Sequence, residues 1–109
     1  MATFGEFIRS ERNKRSLNQS DFGQQFGIIM TDISKIENGH KKFPFANLEK
    51  LAEFLEMDFM TVKNLFVADI LVEEARKYKC SDAVFSVAES HSKYIRKPLK
   101  IKNLPISLL

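Results

Sequence analysis

The stretch "LNQSDFGQQFGIIMTDISKIENG", residues 17–39, decides the fold of this chain. Asn18 is a strong N-cap, and Gln19, Phe22 and Phe26 then share one helical face up to Gly27, which predicts a short helix over residues 19–26. A few residues later Ile33 and Ile36 mark the buried face of another helix. Asn38 and Gly39 end it, because glycine enters the left-handed conformation without a Cβ clash. Two helices that cross steeply through a tight turn need a minimal residue where their backbones touch, a glycine for a left-handed turn, and branched apolar residues facing inward. Gly23, Gly27, Ile33 and Ile36 meet those needs in order, and Phe22 and Phe26 fill the space between the helices.

Outward from this pair the periodicity stays helical. Phe4, Phe7 and Ile8, interleaved with Arg9, Arg12 and Arg15, predict a first amphipathic helix of about three turns that stops near Ser16. Beyond Pro44, Leu48, Leu51, Ala52 and Leu55 predict a fourth helix with Glu49, Glu53 and Glu56 outside. Met57 and Asp58 break that pattern before Val62, Leu65, Phe66 and Ile70 continue as a fifth. Val67, Leu71, Ala75 and Tyr78 form a second apolar stripe on the fifth helix, which asks for a second surface. Ser81 is read as the cap of a sixth helix with Asp82 in its first turn, and Val84, Val87, Ala88, His91, Tyr94 and Ile95 as its apolar face. Pro98 should end it, and "KPLKIKNLPISLL" (residues 97–109) should be extended.

Length and charge bound what such a chain does. Its 109 residues suffice for one compact core with an appendage. No apolar run approaches membrane-spanning length, and no basic segment leads into an apolar one at the start, so the expectation is a soluble, unexported, cytoplasmic protein with no membrane partner. A lone Cys80 fits a reducing compartment, and no His, Cys or acidic cluster has metal-ligand spacing, so neither metal nor cofactor is expected. His40 and His91 are the only histidines, neither is placed with a plausible catalytic nucleophile, and no paired acids suggest acid–base chemistry, so no enzyme is expected. The net charge is +3, yet residues 1–66 balance nine basic against nine acidic side chains, so a nucleic-acid partner has to be argued from placement rather than bulk charge.

Placement supplies that argument. The quoted stretch resembles the helix-turn-helix of the lambdoid phage repressor and Cro family, also called the XRE family, and the resemblance extends over roughly residues 4–66 through "FPFANLEKLAEFL" and "TVKNLF". It implies an all-α fold: a lambda-repressor-like DNA-binding domain of five helices over residues 1–66, then a C-terminal helical dimerisation extension and extended tail over 67–109. In that family the third helix enters the major groove. Carried to matching positions, the resemblance implies that Met30, Thr31, Asp32, Ser34 and Lys35 read bases. Lys35 suits guanine O6 and N7, Met30 and the Thr31 methyl suit a thymine methyl, and Asp32 suits a cytosine amino group.

Gln19, at the first turn of the second helix, and Asn38, His40, Lys41 and Lys42 after the third are expected at phosphates. Arg12 and Glu37 match a family ion pair that fixes the reading helix to the scaffold. Two departures stand out: Ile28 and Ile29 occupy the turn where relatives carry a Ser or Thr cap, and Gly23 stands where alanine is commoner.

The expected function is a homodimeric, sequence-specific regulator on double-stranded DNA, a repressor or a restriction-modification controller. The dimer surface is assigned to Val67, Leu71, Ala75, Tyr78, Val84, Val87, Ala88 and His91. The alternative is an antitoxin whose C-terminal helices bind a toxin while the N-terminal half autoregulates its operon.

Overall fold

Thr3 opens the first helix: its hydroxyl accepts the Glu6 N–H at 3.2 Å while the Glu6 carboxylate accepts the Thr3 N–H at 3.1 Å, a reciprocal cap written in the sequence as T-x-x-E. The computed structural model describes the backbone of residues 3–100 and the side chains of residues 3–95. Within it α1 spans Phe4–Lys14, α2 Gln19–Gln24, α3 Met30–Glu37, α4 Leu48–Leu55, α5 Phe59–Lys77 and α6 Ala83–Lys100, with a short 3-10 turn at Phe45–Asn47 before α4. No strand occurs among the described residues. The backbone divides into two units, Met1–Leu71 and Val72–Leu109.

The ends of these helices follow local chemistry. Asn18 caps α2 by accepting the Asp21 N–H at 2.7 Å. Three helices end on non-glycine residues in the left-handed region, Ser16 (φ 53°), Glu56 (φ 56°) and Lys79 (φ 58°), each at a steric cost of roughly 1 kcal/mol. Asp58, which breaks the apolar pattern, accepts the Thr61 N–H at 3.1 Å and so opens α5 at Phe59, three residues ahead of the first apolar marker at Val62.

At α6 the structure corrects the sequence reading twice. The helix begins at Ala83, so Ser81 and Asp82 both precede it, their carbonyls accepting from Val84 (3.0 Å) and Phe85 (3.1 Å). It also runs through Pro98 to Lys100 instead of ending at the proline. Proline's fixed φ is a helical value, and what it forfeits is one backbone bond in the last turn. The tail from residue 101, and the side chains of Arg96, Lys97 and Lys100, lie outside the described residues.

The core of the first unit is rich in phenylalanine. Phe4, Ile8, Phe22, Phe26, Ile33, Ile36, Phe43, Leu48, Leu51, Ala52, Leu55, Val62 and Phe66 are buried together. Their rings meet mainly edge-on: Phe22 and Phe26 with centroids 5.1 Å apart, Phe26 and Phe43 at 5.6 Å, Phe4 and Phe66 at 5.4 Å and 88°. Such pairs add about 0.5–1.5 kcal/mol each beyond the area they bury. Phe43 comes from the polar loop after α3 and is almost wholly buried, so it anchors that loop to the core.

Two contacts from distant sequence finish the scaffold. Asp69 of α5 accepts the Phe4 N–H at 2.8 Å, satisfying a donor in the first turn of α1 that has no partner within the helix. Arg15 donates to the Leu55 carbonyl at 3.1 Å, closing the end of α4.

Candidate nucleic-acid interface

The crossing of α2 and α3 is set by Gly23. A Cβ there would strike the Ile28 carbonyl oxygen and lie 3.0 Å from Ile33 Cγ1, while the Gly23 carbonyl accepts the Ile28 N–H at 2.9 Å. Glycine is therefore what this turn requires, which accounts for its presence where relatives favour alanine. Gly27 then turns left-handed with φ 67°. Gly5 does the same work on the other side: a Cβ would meet the carbonyl oxygens of Ile36 and Glu37, so α1 lies backbone-to-backbone on the end of α3.

The start of α3 is unambiguous. Ile29 holds the N-cap position with no side-chain cap, and its carbonyl accepts from Asp32 (3.0 Å) and Ile33 (3.1 Å). Thr31 thus lies inside the first turn. Ile29 and Met30 are largely exposed, 66% and 53%, on the outer side of this turn. Thr31 and Lys35 are exposed, and Asp32 and Ser34 half-buried. Ile33, Ile36 and Glu37 form the opposite, buried face.

The far end of α3 closes with a Schellman pattern: Gly39 (φ 81°) donates to the Ile36 carbonyl at 3.1 Å and His40 to the Lys35 carbonyl at 2.8 Å. His40, Lys41 and Lys42 follow at once, all exposed, and are tied down by Phe43. Lys41 Nζ lies 2.9 Å from Asp32 Oδ2, so the loop and the first turn of α3 are ion-paired. Lys35, by contrast, has no ion pair among the described residues.

Behind the helix sits Glu37, whose side chain is fully buried. Arg12 grips it with two bonds, Nε to Oε2 at 2.6 Å and a second guanidinium nitrogen to Oε1 at 3.0 Å. The Gln19 amide also donates to Oε1 at 3.1 Å, and Arg9 Nε reaches the same oxygen at 3.4 Å. Burial pushes the Glu37 carboxyl upward, but the bonds from Arg12, Gln19 and Arg9 together with the Arg12 charge outweigh it and hold the group below the ordinary glutamate range. The same hydrogen bonding raises Arg12 against its own desolvation. Arg12 further donates to the Leu17 carbonyl at 2.8 Å, and Arg9 to Asn38 Oδ1 at 2.6 Å. One carboxylate thus holds α1, the start of α2 and the end of α3 in register.

Several groups expected at phosphates are therefore already engaged inside the molecule: one Gln19 N–H faces Glu37, Asn38 Oδ1 faces Arg9, and Lys41 faces Asp32. Gly5 belongs to the support of this surface, as do Arg9, Phe43 and Asp69, whose spacing carries no sign of it. An isolated glycine inside the α1 pattern, costing about 1 kcal/mol in a helix, was the available signal for Gly5.

The residues assigned to a dimer surface divide between the two units. Val67 packs on the core of the first, where Leu71 is exposed. In the second unit Tyr78 is 72% and Val87 50% exposed, Ala88 and His91 are exposed, and Ala75 and Val84 are half-buried. Among the described residues no helix is long and apolar enough to cross a membrane, and no three His, Cys, Asp or Glu side chains gather as a metal site.

A glycine-dependent crossing of two short helices, a buried arginine–glutamate clasp and an exposed outer helix face define a helix-turn-helix domain. Residues 8–60 match the Helix-turn-helix family, and the all-α N-terminal part of the chain has the lambda-repressor-like fold. The chain is also similar to the HTH-type transcriptional repressor RghR of Bacillus subtilis (strain 168), with 37% identity over 60 residues, 54% of this chain and 44% of that protein. It thus spans less than half the length of that curated relative. No solved structure matches the chain.

Proposed function

We propose that the protein is a sequence-specific DNA-binding transcriptional regulator that seats α3 in the major groove. The observation that carries this reading is the contrast between the two faces of α3: Ile33, Ile36 and Glu37 are buried and clasped from behind, while Met30, Thr31 and Lys35 stand exposed in front. A base-reading helix needs both, since contacts to base edges are directional and lose their value if the helix tilts.

Met30 and the Thr31 methyl then meet thymine methyls, Lys35 donates to guanine, Asp32 accepts from a cytosine amino group, and Ser34 lies beside them. Gln19, through its remaining amide N–H, and Asn38, His40, Lys41 and Lys42 contact phosphates and fix the register. Selection from a pool of random duplexes tests the reading. A recurrent sequence is expected; recovery of unenriched DNA rejects it.

The regulator acts as a homodimer on a near-palindromic operator, in the cytoplasm and without chemistry of its own. What supports the dimer is the set of apolar groups left open in the second unit, Tyr78 and Val87 among them. Repression is the direction of control favoured by similarity to a protein named as a transcriptional repressor. The same open side chains support a second reading, in which they bind a toxin and the N-terminal half autoregulates the operon. Sedimentation of the purified chain separates the two: a dimer favours the first, a monomer the second.

A further inference from the structure

Asp32 and Lys41 form an ion pair on the surface through which the proposed regulator meets DNA, and both belong to the set of residues expected there. A carboxylate on such a surface repels phosphates, and a lysine already bonded to it is not free to meet one. We propose that Asp32 is a resident counter-charge for Lys41, which makes the Lys41–phosphate contact conditional on the base that faces Asp32. The inference rests on the regulator reading above and deepens it by naming the residue pair that sets discrimination.

The geometry supports an exchange of partners. The two groups are 2.9 Å apart, and their side chains keep 27% and 48% of their exposure, so the bond is open to competition by solvent, ions and DNA. Asp32 sits in the first turn of α3, whose backbone is fixed by the Ile29 carbonyl bonds, and Lys41 sits in a loop fixed by Phe43. Only the side chains need to move.

On a sequence that presents an exocyclic amino group, of cytosine or adenine, the Asp32 carboxylate gains a donor from the base and Lys41 is released to the backbone. Both groups keep a hydrogen-bonding partner. Where the edge that faces Asp32 is instead an acceptor, of guanine or thymine, releasing Lys41 leaves the carboxylate against lone pairs, so the ion pair persists and one phosphate contact is not made. Base reading and backbone affinity are then coupled through one bond.

The test is binding of the full chain, Asp32→Asn, Lys41→Gln and the double variant to the selected duplex and to an unrelated one, across a salt series. On the unrelated duplex, Asp32→Asn is expected to bind roughly threefold to tenfold more tightly, with a log–log salt slope steeper by about one as one more counterion is released. That gain is expected to disappear when Lys41 is also replaced. On the selected duplex no gain is expected, so discrimination shrinks. Unchanged melting of all variants separates these effects from folding, since the pair lies at the surface.

An equal gain in the absence of Lys41 overturns the proposal, leaving simple repulsion of phosphates by the carboxylate. No gain on the unrelated duplex overturns it as well. If wild-type protein selects no sequence, the regulator reading falls and takes this inference with it; if a sequence is selected and the two substitutions act additively, the counter-charge alone falls.

Discussion

Arg12 and Glu37 are joined by two hydrogen bonds, at 2.6 and 3.0 Å, and the carboxylate is entirely shielded from solvent. Twenty-five residues separate them in sequence, and the bond ties α1 to the end of α3. Removing one partner of such a pair strands a buried charge, which costs far more than the pair contributes relative to an apolar replacement. Arg12→Ala is expected to destabilise the domain by about 3 kcal/mol, measured by urea denaturation.

The same clasp sets the acid limit. The Glu37 carboxyl is depressed below its usual value of 4.5, so its stabilisation is present above that value and is lost as pH falls through the lower folded one. The thermal midpoint should therefore drop on acidification below 4.5. Glu37→Gln should be less stable at neutral pH and lose less on acidification; an identical acid slope in the variant contradicts the assignment.

Gly23→Ala sets two effects against each other. Alanine improves helix propensity by up to about 1 kcal/mol, but its methyl meets the Ile28 carbonyl, a backbone atom that cannot swing aside. The clash should win, with a net loss of roughly 1–3 kcal/mol in chemical denaturation.

Asp69 terminates a donor that would otherwise open the first turn of α1 to solvent. Asp69→Ala should cost about 1 kcal/mol, the usual worth of an N-terminal cap, and Asp69→Asn should recover part of it by keeping an acceptor oxygen. Faster amide exchange at Phe4 is the local signature to measure.

Lys35 is exposed and has no ion pair among the described residues, so Lys35→Ala should leave the melting temperature unchanged. Binding to the selected duplex should weaken by about 1–3 kcal/mol, with relaxed preference at a single base pair. A loss spread evenly over all sequences would instead make Lys35 a phosphate contact.

Val87→Asp places a charge on the open apolar side of α6. In the homodimer reading the sedimenting mass should fall to that of one chain, while the N-terminal domain keeps its thermal transition.

Local chemistry made much of this molecule legible. Ile33 and Ile36 declare the buried side of α3, Asn18 caps α2, and Gly27 and Gly39 take the left-handed turns that end α2 and α3, because each effect acts within a few residues of chain. Resemblance added the Arg12 and Glu37 pairing, which periodicity alone does not carry. Where local signals compete, reading by rule fails: proline usually stops a helix, yet α6 continues through Pro98, and Asp58 reads as a break although it opens α5.

What sequence by itself determined is the set of helices, their inward faces and the type of turn between α2 and α3, since these follow from periodicity and backbone conformation. What only the tertiary structure decided is which polar groups meet: Asp69 with Phe4, Gln19 with Glu37, Arg9 with Asn38, Lys41 with Asp32. Those partners lie 9 to 65 residues apart. Hydrogen bonds act over about 3 Å, and only the packing of the phenylalanine core brings such distant donors and acceptors within reach.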